Sequence, residues 1–245
     1  MSDNKVALIT GAYKGLGFEI ARQLGQAGIT IVVGARDLAK AEAAAQKLTA
    51  EGLKAYGIKL DVTSAADVAA LPDFFQQKFG RLDILVNNAG VLLDSKDIAE
   101  GGSKLAVTGE TLRKTYEVNT VAPYEIARAL LPLLKAAPAG RIVNQSSILG
   151  SLTMVSEGHA ADFGVPAYTS SKAALNMLTV ILALELKDTK IRVNAVHPGW
   201  VQTDMGGKDA PMQIEEGAKS AVAMALIGDD GPTGSFQHLG EILPW

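Results

Sequence analysis

The chain has 245 residues, 48% of them hydrophobic and 20% charged, with a formal net charge of −3. This is the balance of a globular chain with a sizeable core, and no stretch is dense enough in Lys or Arg to favour nucleic-acid binding. There is no cysteine, and the three histidines (His159, His197, His238) are widely dispersed, which excludes disulfides, thiolate chemistry and a zinc motif read from spacing.

The segment Met1–Lys5 runs straight into a strand-like stretch. It lacks the basic segment and apolar run of a secretory signal, and no apolar run reaches bilayer length, so a cytoplasmic location is expected.

In chain order, strands are expected at Val6–Thr10, Thr30–Gly34, Ala55–Leu60, Ile84–Asn87, Arg141–Gln145 and Arg192–Val196. Helices are expected near Leu16–Ala27, Leu38–Ala50, Ala65–Phe79, Glu110–Leu134, Ala167–Lys187 and Ile214–Leu226. Strand–helix alternation points to a parallel sheet covered on both faces, and the strands read as continuously apolar, as strands buried on both sides do. The expected fold is a three-layer, doubly wound α/β Rossmann domain over residues 1–245, with a mostly seven-stranded parallel sheet. Two segments, Val91–Gly109 and Ile148–Pro166, are irregular; with 199–213 they follow carboxyl ends of expected strands, where open α/β sheets bind ligands.

The first strand ends in Thr10-Gly11-Ala12-Tyr13-Lys14-Gly15-Leu16-Gly17 and opens the first helix. Glycines there let the backbone turn tightly and approach a pyrophosphate, whose charge then sits at a helix N-terminus. A purely structural strand–helix turn would use the same glycines. Arg36 ends the second strand, where an NAD-preferring site would carry Asp or Glu for the ribose 2′-hydroxyl. A guanidinium there suits a 2′-phosphate, and Lys14 adds a cation nearby, so the expected cofactor is NADP(H). Two solvated surface cations, with Asp37 as a helix cap, are the plainer reading. Asp61-Val62 suits an adenine edge or, equally, a helix cap.

Taken in order, Thr10–Gly17, Asn87-Asn88-Ala89-Gly90, Ser147, Tyr168-Thr169-Ser170-Ser171-Lys172 and His197-Pro198-Gly199 span nearly the whole chain. This set resembles the short-chain dehydrogenase/reductase family. The branch it most resembles is the NADPH-dependent carbonyl reductases, through Lys14, Gly34-Ala35-Arg36-Asp37 and His197-Pro198-Gly199-Trp200-Val201.

The resemblance implies a cofactor-binding set. Gly11, Tyr13, Lys14, Gly15, Leu16 and Gly17 would lie along the phosphates, with Lys14 and Arg36 on the 2′-phosphate. Asp61 and Val62 would flank the adenine, and Asn88, Ala89 and Gly90 the adenosine side. Pro198, Gly199, Val201 and Thr203 would lie at the nicotinamide. It implies catalytic roles for Ser147, Tyr168 and Lys172, and for Asn119 as the group holding a water at the end of a proton relay. Homo-oligomers are frequent in the family, so a dimer or tetramer is expected, with a monomer open. Two features depart from the pattern: Tyr13 stands where a small or amide residue is usual, and the interval from Ser147 to Tyr168 is several residues longer, the excess falling in Ser151–Pro166.

The chemistry is physically sound. Hydride transfer to a carbonyl leaves an alkoxide that needs a proton. A free phenol with pKa near 10 is a poor match to neutral pH, and moving it by ~3 units requires roughly 4 kcal/mol. An ammonium about 4 Å away supplies on the order of 4 kcal/mol at an effective dielectric near 20. Tyr168 and Lys172, four residues apart on an expected helix, share one face, and Lys172 can also reach the nicotinamide ribose. Ser147, at a strand end, can donate to the carbonyl oxygen as charge develops. His197 reads as structural. Trp200, Met205, His159 and Phe163 suit either a substrate pocket or apolar packing.

Two other classes compete. A non-catalytic NADPH-binding sensor would not need Tyr168, Lys172 and Ser147 together. A sugar-nucleotide epimerase or dehydratase needs a larger C-terminal region than the fewer than fifty residues after Gly199.

Overall fold

The computed structural model describes residues 5–159 and 165–245. Eight strands form one sheet: β1 Val6–Thr10, β2 Thr30–Ala35, β3 Ala55–Lys59, β4 Ile84–Asn87, β5 Arg141–Gln145, β6 Arg192–Val196, β7 Phe236–His238 and β8 Glu241–Ile242. Their order is β3-β2-β1-β4-β5-β6-β7-β8, with seven strands parallel and β8 antiparallel to β7. The doubly wound sheet expected from the sequence is present, with one strand more. β1, β2, β4 and β5 are buried along their whole length, because helices cover both faces.

The helices are α1 Gly15–Gln26, α2 Leu38–Ala50, α3 Ala65–Lys78, α4 Asp94–Gly101, α5 Gly109–Tyr116, α6 Ala122–Ala136, α7 Leu152–Ser156, α8 Pro166–Glu185 and α9 Ile214–Leu226. One core packs α1, α2 and α9 against Ile9, Val33, Val86, Val143 and Val196. The other packs α3, α6 and α8 against Leu8, Val32, Leu85, Ile142 and Val193. These alternating strand positions divide the two layers. Among the described residues no helix is long and apolar enough to cross a membrane.

Three expectations need correction. The single helix expected over Glu110–Leu134 is two helices joined by a π-helical turn, Glu117–Val121. Pro123 explains the break: it has no N–H for the carbonyl four residues back, that of Asn119, and its ring crowds that carbonyl. The expected irregular stretch Val91–Gly109 contains α4 and a 3₁₀ turn, Lys104–Ala106. The stretch from Ile148 contains a 3₁₀ turn, Ile148–Gly150, and α7; Phe163 lies outside the described residues.

The strand order reverses between β1 and β4, so the crevice at their carboxyl ends is the switch point where such sheets receive ligands. Thr10 welds its two rims: its hydroxyl accepts from the backbone N–H of Asn88 and Ala89, both at 3.0 Å, and its carbonyl takes the Asn88 Nδ2 at 2.9 Å.

Candidate active site

The glycine-rich turn leaves an anion site open. α1 begins after Lys14 with no side-chain cap and no acidic residue in its first turn, so its first N–H groups are free for a ligand's phosphates. A Cβ on Gly15 would meet nothing within 4 Å, whereas one on Gly17 would lie 2.4 Å from the Asn88 amide. One glycine opens room over the helix end; the other brings the helix against the β4 rim. A dinucleotide pyrophosphate fits that cradle.

Arg36 stands exposed at the end of β2 and makes no hydrogen bond or ion pair among the described residues. The Lys14 ammonium pairs with Asp204 and lies 5.4 Å from the Tyr13 ring centre, with the Lys40 ammonium at 5.6 Å on the same ring. Lys40, in the first turn of α2, is a third cation here that the sequence reading missed. Asp61 accepts from the Thr63 backbone and hydroxyl at 3.0 and 2.8 Å, while Ser64, not Asp61, caps α3.

On the other side of the switch point, four residues converge. Asn119 sits fully buried in the π-helical turn and grips Val91 from both ends: it accepts from the Val91 N–H and donates to its carbonyl, both at 2.9 Å. It also donates to Ser171 on α8 at 3.1 Å. A Cβ on Gly90 would lie 3.4 Å from the Asn119 carbonyl oxygen and 3.6 Å from the Lys172 ammonium, which places those two groups on one spot. Lys172, only 4% exposed, donates to the Gln145 carbonyl at 2.7 Å and lies 5.6 Å from the Tyr168 ring centre.

Ser147 follows β5, and its hydroxyl lies near enough to the Tyr168 phenol to favour the phenolate, against the effect of burial. The turn after it presses on α8 so closely that a Cβ on Gly150 would lie 2.7 Å from the Lys172 backbone. Asn176, one turn beyond Lys172, fixes this contact by accepting from Ser146 at 2.6 Å and donating to the Gly150 carbonyl at 3.0 Å.

Burial decides the protonation of the pair. It pushes the Tyr168 phenol up to about 12, against the opposing Ser147 hydrogen bond, and pushes Lys172 down to about 8. The expected lowering of the phenol by the ammonium is therefore not what these side chains give by themselves. The ammonium is held on the Gln145 carbonyl, 5.6 Å from the Tyr168 ring centre, and burial sets the direction of the phenol's shift.

A stability signature follows. Between pH 8 and 10.5 the folded chain holds fewer protons on Lys172 than the unfolded chain, so stability rises with pH there. Tyr168 works in the opposite sense from pH 10 to about 12, where the folded phenol keeps a proton that the unfolded one has lost. The wild type should gain on Lys172→Met in urea midpoint as pH rises from 8 to 10; a constant difference would contradict the buried-ammonium assignment.

The residue that orients Tyr168 was invisible in the sequence. α8 starts with Pro166 and has no cap from its own flank. Asp94, fully buried at the start of α4, supplies one from 73 residues away, accepting from the Ala167 N–H at 2.6 Å and the Tyr168 N–H at 3.1 Å. A carboxylate on helix N–H groups also complements the helix dipole. Asp94→Ala should lower stability by about 2–3 kcal/mol in urea unfolding, with Asp94→Asn recovering part of it. Equal midpoints for Asp94→Ala and wild type would remove this role.

Pro198 and Gly199 turn the chain after β6, and the following loop is tied down by Trp200 Nε1 on the Gly206 carbonyl at 2.7 Å and by Thr203, whose hydroxyl accepts from the Gly206 N–H at 3.1 Å. Val201 is buried and bridges to Met212. The Lys14–Asp204 pair joins this loop to the glycine-rich turn. His197 is held far below the usual imidazole range, at about 3, by burial and by His238, so it stays neutral near pH 7. Trp200 and Met205 are almost half exposed, which excludes plain core packing, and His159 is exposed beside Glu157 at 3.5 Å. Among the described residues no group of His, Asp or Glu could hold a metal.

A family model described as short chain dehydrogenase matches residues 5–214. The chain belongs to the short-chain dehydrogenases. It is an oxidoreductase of that family. Carbonyl reductase [NADPH] 1 of Mus musculus is 35% identical, covering 100% of this chain and 99% of its own length. The structure of salutaridine reductase from Papaver somniferum superimposes with a TM-score of 0.80 at 33% identity, over 95% of this chain and 99% of that one. An NADPH-bound carbonyl reductase from chicken fatty liver gives a TM-score of 0.86 at 27% identity, over 99% of each chain. The alignment with the mouse relative runs to 284 positions, more than the 245 residues of this short-chain dehydrogenase, so the relative carries insertions that this one lacks.

Proposed function

We propose that this short-chain dehydrogenase is an NADPH-dependent carbonyl reductase, reducing ketones or aldehydes and running in reverse as an alcohol dehydrogenase. The observation that carries the reading is the buried group of Tyr168, Ser147 and Lys172, gathered at the carboxyl edge of the sheet beside an uncapped helix N-terminus. When bound, the reduced nicotinamide supplies the hydride; this chain supplies the proton and the charge. α1 and the glycines hold the pyrophosphate, while Arg36 faces the 2′-phosphate, with Lys14 and Lys40 around Tyr13 as further cations. Asp61 and Val62 flank the adenine. Asn88, Ala89 and Gly90 shape the wall next to it, and Pro198, Gly199, Val201 and Thr203 border the nicotinamide.

Ser147 steadies the carbonyl oxygen, Tyr168 protonates it, and Lys172 adds positive charge close to the phenol. Asn119, locked between Val91 and Ser171, keeps the π-helical turn in place and would hold the water at the end of the proton relay. Trp200 and Met205 give the substrate an apolar wall, which favours carbonyls with aromatic or alkyl substituents.

The test is NADPH consumption with one aromatic ketone and one α-diketone, run in parallel with NADH. Turnover with NADPH well above that with NADH is expected. No turnover of any simple carbonyl, with NADPH still bound, would favour the sensor reading instead. A cytoplasmic homo-oligomer belongs to the same proposal; light scattering on the assayed preparation reads the assembly, and a monomer mass would remove that part.

A further inference from the structure

Gln145 ends β5, two residues before Ser147. It is 6% exposed, and neither its side-chain oxygen nor its nitrogen has a hydrogen-bond partner among the described residues. The other buried amides around it keep at least one partner; Asn87 leaves its oxygen unpaired among the described residues but donates to Asn144. Asn144 accepts from Asn87 and donates to Thr179; Asn176 accepts from Ser146 and donates to the Gly150 carbonyl. Asn194 accepts from Ser235 and donates to the Pro232 carbonyl. Buried polar groups are almost always paired, so an amide left open at both ends marks a place kept for a ligand or an ordered water.

The sheet tells which ligand. Asn144 faces α8, so Gln145 lies on the opposite side, with Val143 and with its register partner Val196, in the layer under α1 and α9. That is the face bearing the uncapped end of α1, and α9 carries the Val201 turn on Gly217. Through its backbone carbonyl the same residue holds the Lys172 ammonium. Its side chain is thus at the nicotinamide end of the proposed cofactor crevice, on the face of the sheet opposite Asn144 and α8.

We propose that Gln145 is a cofactor-positioning residue whose side-chain amide hydrogen-bonds the carboxamide of the nicotinamide. A primary carboxamide offers one acceptor and two donors, the complement of what Gln145 presents. The inference rests on the NADP(H) reading above and adds to it a residue that fixes how the ring is turned toward Tyr168.

Two substitutions test it: Gln145→Met, which keeps the length and loses the polarity, and Gln145→Val, a strand former. Each is titrated with NADPH and with adenosine 2′,5′-bisphosphate, which lacks the nicotinamide. NADPH affinity should fall about tenfold in both variants, while affinity for the bisphosphate stays within twofold of wild type. Unchanged NADPH affinity in the variants overturns the inference. Equal losses for both ligands overturn it too, since the amide would then support the fold rather than the ring. A wild type that binds the bisphosphate but not NADPH would overturn the reading beneath it instead.

Discussion

Tyr168→Phe is expected to lower kcat for carbonyl reduction by about 10²–10⁴-fold while NADPH binding stays within about twofold of wild type. The substitution removes one oxygen from a side chain that is 8% exposed, and the ring itself still packs, so the fold survives. What is lost is the buried phenol next to Ser147. The direction of its shift matters. A phenol held near 12 is fully protonated at neutral pH, so it is ready to give a proton to an alkoxide, which is far more basic. Lys172, at about 8, is still mostly cationic at pH 7 and offsets the phenolate charge as the proton leaves. The pair is therefore set for reduction near neutrality, and alcohol oxidation, which needs the phenolate, should grow relative to it as pH rises. Full activity in Tyr168→Phe would take the proton donor away from this site.

Much of the molecule could be read from local pattern. β1, β4, β5 and β6 and helices α2 and α9 fall on the residues expected, because runs of buried strand residues, the apolar faces of the helices and the Asp37 cap of α2 leave signals within a few positions. β7 and β8 do not: at three and two residues they are shorter than any periodicity, and they are strands only because β6 offers an edge and Leu239-Gly240, both at positive φ, turn the chain back. The break at Pro123 has a signal in the sequence, since a proline inside a helical pattern frees the carbonyl four residues back.

The site divides in the same way. Tyr168 and Lys172 share a helix face by spacing alone. Asp94 and Gln145 carried no signal, because their importance lies in partners far along the chain or in the absence of any. The sign of the phenol shift failed for a related reason: desolvation depends on everything packed around a group, and no spacing in the sequence reports it.

Arg36→Ala should weaken NADPH binding by about 10–100-fold and leave NADH binding nearly unchanged, so that the preference between the two collapses. The side chain ends β2 beside the switch point, exposed and free of any protein partner among the described residues, so the substitution disturbs no packing. A planar guanidinium can hold two oxygens of a 2′-phosphate at once, and no acidic residue stands in its place to favour a bare hydroxyl. Lys14 is the weaker contributor, because its ammonium is shared with Asp204 and must leave that carboxylate to serve a phosphate. The loss in Arg36→Ala should shrink as salt is raised, since an exposed charge pair is screened within a Debye length of about 10 Å at 0.1 M. Unchanged NADPH affinity in Arg36→Ala, with a loss in Lys40→Ala instead, would move the 2′-phosphate to the first turn of α2.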